Sequence, residues 1–178
     1  GFFIKSNESI CKCPICDRSL KHRDYRKRII KSYQGEIEYL YIRRLKCSCG
    51  RIHNELPDIL VPYKHYSTEV IENVLDDVST PSDATTEDYP CLCTMKRWRL
   101  WLESNVHQIE GSLKAIRFCI FDNSETQLKS KDSLLSPIRA LGSGWLGLIH
   151  KIIYNCSHTL IPLAPRIYAP TLLCVTDS

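Results

Sequence analysis

Long apolar runs are missing from this sequence. The longest candidate, Trp145 to Tyr154, is interrupted by His150 and Lys151, whereas a membrane-spanning helix needs about 20 apolar residues. At the start, Phe2, Phe3 and Ile4 give way to Lys5, too short a run for the h-region of a secretory leader. Glycine is sparse and proline no more than ordinary, 7 and 9 in 178 residues and without period, which excludes a collagen-like chain. Catalytic signatures are missing too: there is no P-loop, no His-Glu-x-x-His and no Gly-x-Ser-x-Gly. Asp17, Asp58, Glu72, Asp122 and Asp132 form no recognisable two-metal nuclease motif. The six histidines are scattered. An enzyme is therefore not expected, nor is a small-molecule substrate. With 43% hydrophobic and 25% charged residues, the composition is globular, and the length suits one domain or two small ones.

Cysteine is abundant, with ten against a single methionine. Such a count means either a secreted disulfide framework or, in a reducing compartment, metal ligation and core thiols. With no leader visible, the reading is a cytoplasmic protein whose cysteines partly hold a metal. The informative segments are Cys11-Lys-Cys13-Pro-Ile-Cys16 and Cys47-Ser-Cys49-Gly50. Two thiolates separated by two residues meet one tetrahedral ion from a tight knuckle, and four thiolates leave no open coordination position. Cys13, Cys16, Cys47 and Cys49 are thus expected to bind a structural Zn2+. The one-residue gap in the second pair is irregular, so Cys11 and His53 stand as substitute ligands. Buried free thiols and a [2Fe–2S] cluster are the alternatives.

Between the pairs the pattern is that of a β-hairpin. Tyr25 to Tyr33 alternates loosely, Gln34-Gly35 supplies a turn, and Ile37, Tyr39, Tyr41, Arg43 and Leu45 mark one face of the return strand. The strand tyrosines are expected to pack a small core rather than stack on bases. Two strands alone are marginal, and a metal at their base supplies the missing stability. The fold class expected is α+β: a small N-terminal zinc ribbon over 1–55, then a mainly helical part of helix-turn-helix type. A linker over 56–66 joins the two. The helix-turn-helix-like domain covers 67–122, and a helical extension with a Pro-rich tail covers 123–178.

The helical part is read from spacing and caps. Ser67 or Thr68 caps a helix with the apolar face Val70, Ile71, Val74, Leu75 and Val78. Thr94 caps a short basic helix with Trp98, Trp101 and Leu102 inward. A further helix runs through Val106, Ile109, Leu113, Ile116 and Ile120. Another spans Leu134 to Tyr154. A helix, a turn and a short basic helix make the arrangement that enters a DNA major groove.

Charge supports a polyanionic partner. Residues 17–51 carry a balance of +7, residues 52–93 a balance of −8, and residues from 94 onward +4, so the overall +4 conceals a basic ribbon. Arg26, Lys27, Arg28, Lys31, Arg43, Arg44 and Lys46 are the candidate phosphate contacts of the hairpin. Lys96, Arg97 and Arg99 are those of the basic helix.

The run Tyr41-Ile-Arg-Arg-Leu-Lys-Cys-Ser-Cys-Gly-Arg-Ile-His-Asn-Glu-Leu-Pro-Asp58, with Val61-Pro-Tyr-Lys-His-Tyr-Ser67, resembles an uncharacterised bacterial family of transposon-associated proteins. Lys96-Arg-Trp-Arg-Leu-Trp101 and Gly144-Trp-Leu146 extend the likeness. The resemblance implies an N-terminal zinc ribbon, with Cys13 and Cys16 as its first metal pair and Cys47 and Cys49 as its second, and a transposase-like helix-turn-helix. The family has two residues within its second pair, and this sequence has one. The function expected is a DNA-binding module or accessory protein of a mobile genetic element. Double-stranded DNA, and a transposase or recombinase, are its expected partners. A zinc-stabilised protein-interaction adaptor and a fragment of a transposase are the competing readings.

Overall fold

Alternation of apolar and polar residues around a glycine turn folds the basic segment into a long hairpin. β2 (Lys21–Lys31) and β3 (Ile37–Lys46) pair antiparallel, with Tyr25 opposite Arg43 and Lys31 opposite Ile37. Gly35, at a φ of 71°, donates to the Ser32 carbonyl at 3.2 Å, because only glycine enters that region without steric cost. This computed structural model describes residues 1–4, 11–32, 35–80, 90–121 and 132–156. The expected turn residue Gln34 and the tail from 157 lie outside them. Among the described residues the chain is mixed α/β, with one small sheet and four helices.

β3 is the central strand. β1 (Phe2–Ile4) runs parallel to it at Leu40–Ile42, and β4 (Ile52–Asn54) runs antiparallel at Arg44–Lys46. The two short strands therefore share the edge of β3 that β2 does not use. One face buries Ile30, Leu40 and Ile42 against Leu60. The other carries Tyr25, Lys27, Tyr39 and Tyr41, and both Tyr25 and Tyr39 are exposed. The strand tyrosines thus do not form the small core: the aliphatic side chains one register step away take that place, since successive residues point to opposite faces.

α1 (Thr68–Leu75) begins where expected, with the Ser67 hydroxyl accepting from the Val70 N–H at 3.3 Å. α2 (Leu92–Phe121) is one helix of 30 residues, where a short basic helix and a separate apolar one were expected. It also starts before Thr94: the N–H groups of Thr94 and Met95 donate to the Cys91 carbonyl at 2.7 and 3.1 Å. The expected helix over 134–154 is divided into α3 (Leu135–Arg139) and α4 (Trp145–Asn155). Gly142 and Gly144, at φ of 98° and 94°, turn the chain between them. The helices enclose one core that includes Ile71, Val74, Trp98, Trp101, Ile109, Trp145 and Ile149.

Residues 56–66 are packed rather than a free linker. Leu60 sits in the sheet core and Val61 in the helical core, each 1% exposed. Residues 76–91 lie between α1 and α2 in the chain, and 81–89 of these fall outside the described residues.

Candidate metal centre

Two turns bring the cysteines together. In the first, the Asp17 N–H donates to the Cys13 carbonyl and the Cys13 N–H to the Arg18 carbonyl, both at 2.8 Å, with Asp17 at a φ of 55°. The second joins β3 to β4. There the Gly50 N–H donates to the Cys47 carbonyl at 3.0 Å and the Cys47 N–H to the Arg51 carbonyl at 2.9 Å, with Gly50 at a φ of 88°. Each hydrogen-bonded span in the second knuckle is one residue shorter than its counterpart in the first. The irregular Cys47-x-Cys49 spacing is therefore absorbed by the turn, whose left-handed Gly50 stands where Asp17 stands in the other. Cys49 is left exposed, whereas Cys13 and Cys47 are buried.

The ligating atoms of Cys13, Cys16, Cys47 and Cys49 all lie within 4.8 Å of one another. Sγ of Cys13 is 4.0 Å from that of Cys49, and Sγ of Cys16 is 3.4 Å from that of Cys47. A tetrahedral ion bound to sulfur at about 2.3 Å requires sulfur–sulfur edges of roughly 3.8 Å. The donor set fits, and these four cysteines can hold a metal ion. Cys11 is directed elsewhere, its thiol 3.7 Å from Oε1 of Glu55.

The thiols perturb one another strongly. The N–H of Cys49 leads in drawing the Cys47 thiol down to about 6. The N–H of Arg18 pulls the Cys16 thiol down, but the Cys47 thiol, burial and the other two thiols outweigh it and drive Cys16 up to about 12. Burial pushes Cys13 up, and the N–H groups of Ile15 and Cys16 nevertheless leave it below its ordinary value. Four thiolates so close repel one another, and a bound cation removes that conflict.

His53 of β4 touches the cluster without joining the four. Its Nε2 lies 3.3 Å from Sγ of Cys13, and its Nδ1 lies 2.5 Å from the hydroxyl of Tyr154 on α4. The consistent tautomer has Nε2–H donating to sulfur while Nδ1 accepts from the tyrosine. His53 is thereby placed to orient a ligand rather than to act as one.

The candidate phosphate contacts divide into two groups. Arg43 makes a bidentate pair with Glu55 at 2.6 Å, Arg44 one with Asp24 at 2.5 Å, and Arg99 binds the Val74 carbonyl and Asp77. Arg28 donates to the Lys64 carbonyl at 2.9 Å, and Lys31 is half-buried over the Tyr66 ring. Arg26, Lys27, Lys46, Lys96 and Arg97 are exposed. Beside the second knuckle, Arg18, Lys21, His22, Arg23 and Lys46 line a depression of about 510 Å³ together with Ser19, Cys47 and Ser48. Arg18, Lys21 and His22 had no motif to single them out; only the charge density of 17–51 pointed their way.

Among the described residues, Asp17, Asp58 and Glu72 are engaged in separate places. Asp17 pairs with Lys12, Asp58 with Lys151, and Glu72 is buried at the N-terminus of α4. Asp122 lies outside the described residues. No described helix is long and apolar enough to cross a membrane.

Residues 13–98 match the family described as DUF6431, a domain of unknown function, so the likeness spans both knuckles, the hairpin, α1 and the start of α2. No match is found among curated proteins or among solved structures.

Proposed function

We propose that the sheet is a zinc ribbon, with a structural zinc ion on Cys13, Cys16, Cys47 and Cys49, and that the chain is a double-stranded-DNA-binding module without a catalytic centre. The observation that carries it is the cationic depression beside the metal knuckle. Arg18, Lys21, Arg23 and Lys46 line it, with His22, and no carboxylate is among the lining residues. Arg18, Lys21 and Lys46, with Arg23 beside Asp24 at 3.5 Å, place cations along one edge as a phosphate backbone requires, where each neutralised phosphate releases counterions. Lys96 and Arg97, exposed on the first turns of α2, supply further contacts. The cations come chiefly from the ribbon here, so the reading does not need a recognition helix. The resemblance to transposon-associated proteins extends the proposal to DNA of a mobile element, with a transposase or recombinase as partner.

Titration of a fluorescent duplex tests it. With four phosphate contacts, affinity falls about a hundredfold between about 50 and 200 mM salt. Reversing two cations, Lys21→Glu with Arg23→Glu, abolishes binding at the lower salt, while Arg99→Gln leaves the salt slope unchanged. Absence of binding at about 50 mM salt, or binding indifferent to salt, overturns the proposal and favours the protein-interaction adaptor.

A further inference from the structure

The outward face of the sheet has a chemistry that the phosphate-binding edge does not explain. By register it presents Phe3 from β1, Tyr25, Lys27, Ile29 and Lys31 from β2, and Ile37, Tyr39, Tyr41 and Arg43 from β3. Of its cations Lys27 is exposed, while Arg43 is claimed by Glu55 and Lys31 is half-buried over the Tyr66 ring. Phe3 is 68% exposed, Tyr25 45% and Tyr39 41%. The rings are already ordered. Phe3 and Tyr41 stack with centroids 4.8 Å apart, Phe3 meets Tyr25 edge-on at 5.2 Å, and Nζ of Lys27 lies 3.7 Å above the Tyr39 ring. An apolar patch of this kind on a monomer's surface marks a binding face. An exposed cation set among the rings narrows the choice of occupant. A purely hydrophobic protein partner has no use for Lys27 there, whereas a flexible polyanion with flat apolar units matches both features.

We infer that this face binds single-stranded DNA by stacking unpaired bases on Tyr25, Tyr39 and the Phe3–Tyr41 pair, with the sugar-phosphate chain passing Lys27. The inference rests on the DNA-binding reading above and adds a second site to it. Sheets that read unpaired nucleic acid use aromatic platforms in this way, because every base has a π-face and stacking is tolerant of sequence. A base in a closed duplex has no free face, so this site is reached only where strands are opened. The cationic depression beside Ser48 and the aromatic face then serve the two states of one DNA substrate.

The test uses the full chain and an oligonucleotide with 2-aminopurine at a central position, in single-stranded and duplex form. The single strand is expected to lose fluorescence on binding, as the reporter stacks on a ring, and the duplex is not. The double variant Tyr25→Leu with Tyr39→Leu keeps apolar strand residues, so metal content and circular dichroism monitor its fold. It is expected to bind the single strand at least tenfold more weakly, since each base–ring stack is worth about that factor, and the duplex within about twofold. Wild-type protein that binds the duplex but neither binds nor quenches the single strand overturns this inference alone. So does a folded double variant that binds the single strand as well as wild type does. Tighter binding of the matching RNA strand overturns the assignment to DNA. If neither form binds at about 50 mM salt, the DNA-binding reading falls as well.

Discussion

The imidazole of His150 is buried on α4, stacked 6.0 Å from the Trp101 ring, and neither of its nitrogens has a hydrogen-bond partner among the described residues. Burial first, and the Lys64 ammonium second, lower its pKa from 6.5 to about 4. The unfolded chain therefore takes up a proton that the folded chain refuses. Stability is intact above pH 6.5 and is lost as pH falls through the window down to about 4, by an amount on the order of 3 kcal/mol. His150→Leu removes that loss. The difference between its urea midpoints and those of wild type, followed across the window, checks the outcome, and identical pH profiles would falsify it. Single residues varied in how much their sequence context disclosed. Cys13 and Cys16 were legible because thiol spacing is itself the chemistry. Arg43, Arg44 and Arg99 were not, because a positive charge in a sequence does not reveal the carboxylate or carbonyl that will claim it. Glu55, Asp24 and Asp77 do so here.

Among the elements, α4 begins in an unusual way. Gly144 precedes it in a left-handed conformation and offers no side-chain cap. The missing acceptors come from α1: the two carboxylate oxygens of Glu72 accept from the N–H groups of Gly144 and Leu146, both at 2.7 Å. Burial raises the pKa of that carboxyl and these two hydrogen bonds oppose the rise. Glutamine has one accepting oxygen where the carboxylate has two. Glu72→Gln therefore leaves a buried donor unpaired and is expected to cost roughly 1–3 kcal/mol, measured as a lower midpoint of chemical denaturation with the slope unchanged. Periodicity disclosed the existence of most described elements and misjudged some of their ends. A short basic helix and a separate apolar one were expected on either side of Ser104 and Asn105, residue types that disfavour helix interiors. In α2, however, Ser104 Oγ donates to the Leu100 carbonyl at 2.7 Å and Asn105 Nδ2 to the Trp101 carbonyl at 2.6 Å, so both are satisfied without ending the helix. The β1–β3 and β3–β4 pairings are long-range or depend on the shortened knuckle, and no local pattern announces them.

At the scale of the whole molecule, the hydrophobic cluster on the sheet is small, Ile30, Leu40, Ile42 and Leu60, and a cluster of that size rarely holds a fold alone. The helical core is several times larger. Removing the metal with a strong chelator is thus expected to raise amide exchange at least tenfold in β2, β3 and β4 and to alter α1 and the first half of α2 little, as read by exchange mass spectrometry. Protein purified without chelator should carry about one equivalent of zinc; unchanged protection of the strands after chelation would remove the structural role. Neither outcome was legible from domain boundaries drawn on composition, because the segment 56–66, read as a spacer from its prolines, contributes to both cores. Leu60 and Val61 are consecutive residues anchored in different cores, and a single peptide unit leaves no room for a swivel. The sheet and helices consequently share one orientational frame. Under the DNA-binding proposal, a strand held at the sheet would meet Lys96 and Arg97 at a set distance and angle, so the second contact would form at a high effective concentration instead of after a diffusive search.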